Sequence, residues 1–476
     1  MRASRAAAPS DEVRLAIIGL GDSKAVGGVG GRGLQLIALF RAVLGVRIVA
    51  LCDVDSAILN REVAQFKARG ETVAAYSDLR RVMDDKSIDA VVIAAPNHWH
   101  ALATIWACQA GKDVYVEKPF SYNILEGRQM LAAARKYGRM VQVGTQRRSS
   151  LVLQEALDYV RGGALGSIRL AHAIVYRARD GIGKVDAPTP PPATVDFDLW
   201  SGPAQLEPIH RRQLHYDWHW VWSTGNGEMG NNGAHQLDVA RWALGQDRPA
   251  PRAMAIGGRL GFDDDGQTAN THIALLDYRP APLICEIRNY RAGKDAKAIG
   301  KYRGIGAGVV IDCEGGSLIG DATGCGVLDK QGAKIKEIKP AKDQPKSQAM
   351  EPLHVANFIE AVRSRKAADL HAPGAVGHAT AVCCHMANLS LRLGQAAQPE
   401  AIAEATRGQG ELTETFDRCR DYLLANGIDL HATPATLGPW LTLDADTEQF
   451  IGEHAARANE LSERRYREPF VVPKLA

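Results

Sequence analysis

From Val13 onward, short apolar runs rich in β-branched residues alternate with stretches whose apolar residues recur at helical spacing. The pattern predicts strands over 13–19, 46–53, 88–94, 113–117 and 139–144. It predicts helices over 31–44, 56–69, 100–110 and 123–137. Strands apolar on both faces and separated by helices form a parallel sheet covered on both sides. Residues 1–146 therefore read as a doubly wound α/β domain of the Rossmann type.

The rhythm changes after Gln146. A helix over 150–161 is followed by a long Pro/Gly-punctuated stretch, 177–203, and by alternating strands over 269–278 and 283–290. Residues 147–395 thus read as an α+β domain with a large, mainly antiparallel open sheet, suited to substrate binding and to pairing with further copies. Residues 396–476 read as a C-terminal extension with a helix near 412–426 and an extended end, 468–473. No internal repeat is present.

Composition narrows the function. The 476 residues are 46% apolar and 23% charged, with 57 basic against 54 acidic side chains, which suits two or three globular domains. A net charge of +3 argues against a nucleic-acid or membrane partner. No apolar run approaches the ~20 residues of a transmembrane helix. Eight cysteines without a C-x-x-C pair argue against a disulfide framework or cysteine zinc site and for a reducing, cytoplasmic setting. Residues 1–12 lack the apolar core of a signal peptide and read as a frayed tail, or as the remnant of a longer export signal.

The first strand runs into Gly19 and Gly21, and the first helix opens at Gly31 and Gly33. A Gly-rich turn there lets backbone N–H groups approach a pyrophosphate at the helix N-terminus. The spacing departs from G-x-G-x-x-G by several inserted residues, so a plain surface loop competes with this reading. Asp53, closing the second strand 20 residues after Gly33, shifts the balance. A carboxylate there accepts hydrogen bonds from the adenosine ribose and repels a 2′-phosphate, favouring NAD over NADP.

The run Ala94-Ala95-Pro96-Asn97-His98-Trp99-His100, followed by Ala110-Gly111-Lys112-Asp113-Val114-Tyr115-Val116-Glu117-Lys118-Pro119, resembles the glucose-fructose oxidoreductase / inositol dehydrogenase family (Gfo/Idh/MocA). Residues 225–244, with His235 and Asp238, the Asp198-Leu199-Trp200-Ser201-Gly202-Pro203 segment and the end of the chain extend the likeness. The resemblance implies that Pro96, Asn97 and His98 line the cofactor, that Glu117 orients Lys118, and that Pro119 is cis. It also implies that Gln146 bounds the nicotinamide pocket and that Trp200 approaches from the second domain.

The residue chemistry points the same way. Oxidising a secondary alcohol needs a group that removes the hydroxyl proton, and a lysine at the cofactor's edge can do so if burial lowers its pKa. The alternative for Lys118 is a solvated partner of Glu117. Asn231, His235 and Asp238 fall at i, i+4 and i+7 and share one helix face, where all three can meet a substrate; the alternative for His235 is a helical histidine satisfied by Asn231 one turn earlier. Dehydrogenases of the family carry aspartate where this chain has Asn231. An amide cannot stabilise a charged imidazole, so Lys118 is expected as the acid–base residue, with His235 secondary.

Five of the eight tryptophans fall within residues 200–242. Trp218 beside Arg212 and His215 suits a carbohydrate, whose C–H faces stack on indoles while its hydroxyls meet polar groups; core or interface packing is the competing reading. No metal is expected, because hydride transfer to NAD needs no Lewis acid and no Cys or Glu completes a ligand set beside His215. The expectation is an NAD-dependent sugar or polyol oxidoreductase, homo-oligomeric as a dimer or tetramer. The alternatives are a redox-neutral NAD-dependent glycoside hydrolase and a silent dinucleotide-binding sensor.

Overall fold

The computed structural model describes residues 12–22 and 30–475. The expected tail 1–12, apart from Glu12, and most of the inserted glycine loop lie outside them. Six parallel strands form the first sheet: β1 (Val13–Ile18), β2 (Val46–Cys52), β3 (Ala74–Tyr76), β4 (Ala90–Ile93), β5 (Asp113–Val116) and β6 (Val141–Val143). Their order is β3-β2-β1-β4-β5-β6, so the order of strands switches side between β1 and β4, where α/β sheets open a ligand crevice. Helices α1 (Arg32–Arg41), α2 (Ser56–Ala68), α3 (Leu79–Asp84), α4 (His100–Gln109) and α5 (Ile124–Lys136) connect them.

Both faces of this sheet are dry. Leu15, Ile17, Leu36 and Phe40 pack on one side, and Ala16, Ile18, Leu102 and Ile105 on the other. Two later segments complete these layers. Val355, Phe358 and Ile359 of the helix Met350–Ser364 join the Leu15 face, and Phe470 and Val472 of the extended end join the opposite one. The first domain thus draws on chain far beyond Gln146.

The second sheet runs β14-β13-β12-β11-β7-β10-β9-β8-β16-β15, with β7 (Ile168–Tyr176), β8 (Arg252–Gly258), β9 (Thr271–Leu276), β10 (Leu283–Arg288), β11 (Ala307–Cys313), β12 (Gly316–Asp321), β13 (Gly324–Asp329), β14 (Lys334–Ile338), β15 (Gln395–Ala397) and β16 (Ala435–Leu437). Only β7 and β10 pair in parallel along this order. Alternating residues of β7–β10 feed two cores. Ala171, Ala173, Cys285 and Ile287 pack with the helices Leu151–Arg161, Ala234–Ala243 and Gly374–Leu393. Leu170, Ile273 and Ile284 pack with Phe416, Cys419 and Tyr422 of the helix Gly410–Ala425. Over these strands that second face is covered by the chain's own C-terminal segment, which also supplies β16.

Seven of the cysteines are buried, Cys313 is partly so, and all eight are free thiols. Among the described residues no helix is long and apolar enough to cross a membrane.

Candidate active site

A cleft of about 600 Å³ opens at the C-terminal ends of β1, β2, β4 and β5 and is closed from the other side by residues of the second domain. Gly19, Gly21 and Gly31, all at positive φ, line it. A Cβ on Gly19 would lie 2.5 Å from the Ala95 amide nitrogen, so the turn is open only to glycine. Gly33 does not line the cleft. A Cβ there would lie 2.0 Å from the Gly19 carbonyl oxygen, which assigns Gly33 to the close packing of α1 against β1.

Asp53, 8% exposed, lines the cleft at the end of β2. It accepts hydrogen bonds from the backbone N–H of Leu20 at 2.7 Å, Gly21 at 3.4 Å and Asp55 at 2.9 Å. It thereby braces the glycine turn and still presents a carboxylate where a ribose would lie. A deep crevice, a glycine cradle that a Cβ would fill and a carboxylate at the strand end together fit a dinucleotide. Asp53→Ser is expected to narrow the preference for NAD over NADP at least tenfold, about 1.4 kcal/mol of differential binding. Titration with both cofactors checks this; equal binding of the two by the unaltered protein would remove the ribose role from Asp53.

The Pro-Asn-His turn divides its work. Pro96 lines the cleft, but Asn97 and His98 point away from it. Asn97 donates from Nδ2 to Asn226 Oδ1 at 2.6 Å. The buried His98 ring sits between the carbonyls of Trp200, at 2.9 Å, and Thr224, at 3.4 Å. Burial drives its pKa down to about 3, so it is neutral and its single ring N–H can donate to only one of these carbonyls, the shorter contact being to Trp200 across the domains. This corrects the expectation that both side chains contact the cofactor. Trp200 itself lines the cleft, as does Gln146.

Lys118 sits where β5 ends, before a cis bond to Pro119. Its Nζ donates to Asn231 Oδ1 at 2.9 Å and to the Asn231 carbonyl at 3.1 Å. Burial pushes its pKa down to about 8; the charges of Glu117 and Glu228 resist this, and those of Arg32 and Arg147 add to it. Glu117 is engaged elsewhere: Oε1 accepts from Arg32 Nε at 2.8 Å, and Oε2 accepts from the Lys118 backbone N–H at 3.3 Å. Glu117 thus acts on the ammonium through charge and through the backbone, and the alternative of a solvated Lys118 paired with Glu117 does not form.

Asn231 lies in a turn of π-helix, Met229–Gly233, that leads into the helix Ala234–Ala243. The wider turn breaks the i, i+4 register with His235. Asn231 therefore bonds Lys118, and no hydrogen bond joins it to His235, so the alternative of a histidine satisfied by Asn231 does not hold. His235 lines the cleft, is 7% exposed, and leaves Nδ1 without a partner. Burial and the charges of Arg147 and Lys118 hold it well below the usual imidazole range, so it is neutral. Asp238 turns away: it pairs with Arg148 at 2.8 Å and accepts from Thr380 Oγ1 at 3.0 Å, deep in the protein. It is a scaffold group, not part of a face shared with His235.

On the substrate side, His215, Tyr216, Trp218 and His219 line the cleft. His215 Nε2 meets Asp55 Oδ2 at 2.8 Å, joining the two domains. Arg212 lies outside the cleft, with Nη2 donating to the Lys184 carbonyl at 3.3 Å. The neighbouring position is taken by an unforeseen residue, Arg179, which lines the cleft, pairs with the buried Glu228 and donates from Nη1 to Tyr216 Oη at 2.8 Å. Arg32 and Glu351, paired at 2.8 Å, line it as well.

Two family profiles match the chain: residues 13–145 match "Oxidoreductase family, NAD-binding Rossmann fold", and residues 180–275 match "Oxidoreductase family, C-terminal alpha/beta domain" of the same Gfo/Idh/MocA group. Over these two stretches the chain is similar to the Gfo/Idh/MocA oxidoreductase family. NAD is the cofactor of its first domain. The 1-carboxy-3-chloro-3,4-dihydroxycyclo hexa-1,5-diene dehydrogenase of Comamonas testosteroni is 25% identical over 266 residues, 56% of this chain and 55% of that one. A glycosyl hydrolase family 109 protein of Shewanella sp. (strain W3-18-1) is 31% identical over 150 residues, 30% of this chain and 32% of that one. The chain spans about half the length, or less, of the curated relatives it matches. The WlbA dehydrogenase from Bordetella pertussis, solved with NADH and UDP-GlcNAcA, shares the fold with a TM-score of 0.56 at 19% identity, covering 80% of this chain and 97% of that one.

Proposed function

We propose that this protein is an NAD-dependent oxidoreductase that oxidises a secondary hydroxyl of a sugar or polyol, with Lys118 as the acid–base residue. The observation that carries the reading is Lys118 itself: an amine lining the cofactor cleft, held by Asn231 and brought close to neutral pH by burial. NAD supplies the hydride acceptor when bound. The neutral Lys118 amine takes the hydroxyl proton as the carbon gives up its hydride, and the carbonyl forms. Asn231 fixes the direction of the Nζ. The neutral His235 offers a hydrogen bond to a second substrate hydroxyl, and Trp218 an apolar face for the ring. The similarly folded WlbA dehydrogenase, solved with NADH and UDP-GlcNAcA, supports a carbohydrate substrate.

The match to a glycosyl hydrolase family 109 protein supports a second reading, in which oxidation is transient and a glycosidic bond is broken. The two differ in stoichiometry. A net dehydrogenase accumulates NADH in proportion to product, whereas a redox-neutral glycosidase turns over many equivalents of an aryl glycoside with no net gain in nicotinamide absorbance. NADH accumulation is the expected result. Aryl glycoside turnover without it would transfer the assignment to the hydrolase, and neither signal, in a protein that binds NAD, would leave a sensor.

A further inference from the structure

A second cavity, of about 330 Å³, lies behind the Lys118–Pro119 turn. Tyr122 comes from the chain just beyond that turn, Trp222 from the tryptophan-rich segment, His385 and Arg392 from the helix Gly374–Leu393, and Arg464 from the C-terminal segment. None of these residues lines the cofactor cleft.

Two of its lining residues, Arg464 and His385, keep buried polar atoms without a partner. Arg464 donates from Nη2 to the Ser223 carbonyl at 2.8 Å, but its Nε and Nη1 are buried without a partner. The buried His385, 4% exposed, leaves Nε2 without a partner as well. The Arg464 guanidinium lies 4.2 Å from the centre of the Tyr122 ring, and that of Arg392 lies 5.0 Å from the centre of the Trp222 ring. Among the described residues neither arginine is in an ion pair. The nearby buried Glu126 does not supply the missing charge in full, because burial pushes its carboxyl up to about 7. Glu207 and Glu463 also line the cavity, but both are exposed, where water and salt screen them.

Buried N–H donors of a charged group are costly to leave unmade. The buried, unpartnered donors of Arg464 and the unpartnered Nε2 of His385, with the exposed Arg392 guanidinium over Trp222 at the cavity's edge, form a site for one anionic group attached to a hydroxylated ring. We propose that this cavity binds a small anionic carbohydrate, a sugar acid or a sugar phosphate, at a site separate from the cofactor cleft. The anion meets Arg464 and Arg392, the ring lies against Trp222, and a hydroxyl donates to His385 Nε2.

Calorimetric titration of the NAD-saturated protein with glucuronate, glucose 6-phosphate, glucose and inorganic phosphate tests this. Arg464→Gln and Arg392→Gln are expected to weaken binding of at least one charged sugar tenfold or more, while NAD affinity stays within a few-fold, which also reports an intact fold. Arg392→Lys should retain most of the binding. Preference for glucuronate or for glucose 6-phosphate distinguishes a carboxylate ligand from a phosphate one. Binding that survives both arginine-to-glutamine changes, that disappears instead with His235→Ala in the cofactor cleft, or that inorganic phosphate or glucose matches in affinity would overturn the proposal, as would no saturable binding at all.

Discussion

Lys118→Met is expected to lower turnover by ~10² or more while leaving NAD affinity within a few-fold. Methionine keeps the length and apolar stem of the side chain but removes the amine that would take the substrate proton. The glycine turn, Asp53 and the Arg32–Glu117 pair are untouched, so the cofactor's groove persists. The cost falls on kcat, since the proton transfer is made on the way to the transition state and not on binding. A thermal melt is the control, because the substitution leaves Asn231 Oδ1 without its donor and that acceptor is nearly buried. Turnover within a few-fold of the unaltered protein, in a folded variant, would take Lys118 out of the chemistry.

The parts of the site legible in sequence are those where the backbone leaves little choice. Gly19 and Gly33 occupy places where a Cβ meets main-chain atoms, and Asp53 sits where β2 must end beside the glycine turn. These are local constraints, and local spacing reveals them. Asn97 and His98 belong to the same recognisable turn as Pro96, yet their partners are Asn226 and the Trp200 and Thr224 carbonyls, more than a hundred residues away. Only the meeting of the two domains decides which way those side chains face. Arg179 was hidden for another reason. It lies in a stretch without helical or strand periodicity, and its partner Glu228 is 49 positions away.

The fold shows the same division. Alternation predicts the strands of the first sheet because both faces are buried and the runs are nearly all apolar. The helix Gly374–Leu393 shows no clear apolar stripe, since it is buried around most of its circumference and mixes small residues with buried polar ones such as His378, Thr380, His385 and Asn388. A helix without a polar face has no period to read. The helix Gly410–Ala425 is amphipathic and was visible, but nothing local shows that it lies on the second sheet.

Asn231→Asp is expected to move the acidic limb of the pH–rate profile for alcohol oxidation upward by one to three units. The new carboxylate takes the place of an oxygen 2.9 Å from Lys118 Nζ, where it favours the ammonium. Oxidation requires the neutral amine, whose pKa stands at about 8 before the change. Below that pKa the neutral fraction falls tenfold for each unit, so activity at pH 7 should fall about tenfold or more. The reverse reaction requires the ammonium, and its alkaline limb should move upward by the same amount. Asn231→Ala gives the opposite sign: removing the side-chain acceptor disfavours the ammonium and should carry both limbs downward. His235 is not bonded to residue 231, and burial has already made it neutral across this range. Limbs that shift in opposite directions in the two variants assign the titration to the Lys118–Asn231 contact. Limbs that stay fixed in both, in folded variants that bind NAD, would separate this contact from the proton pathway.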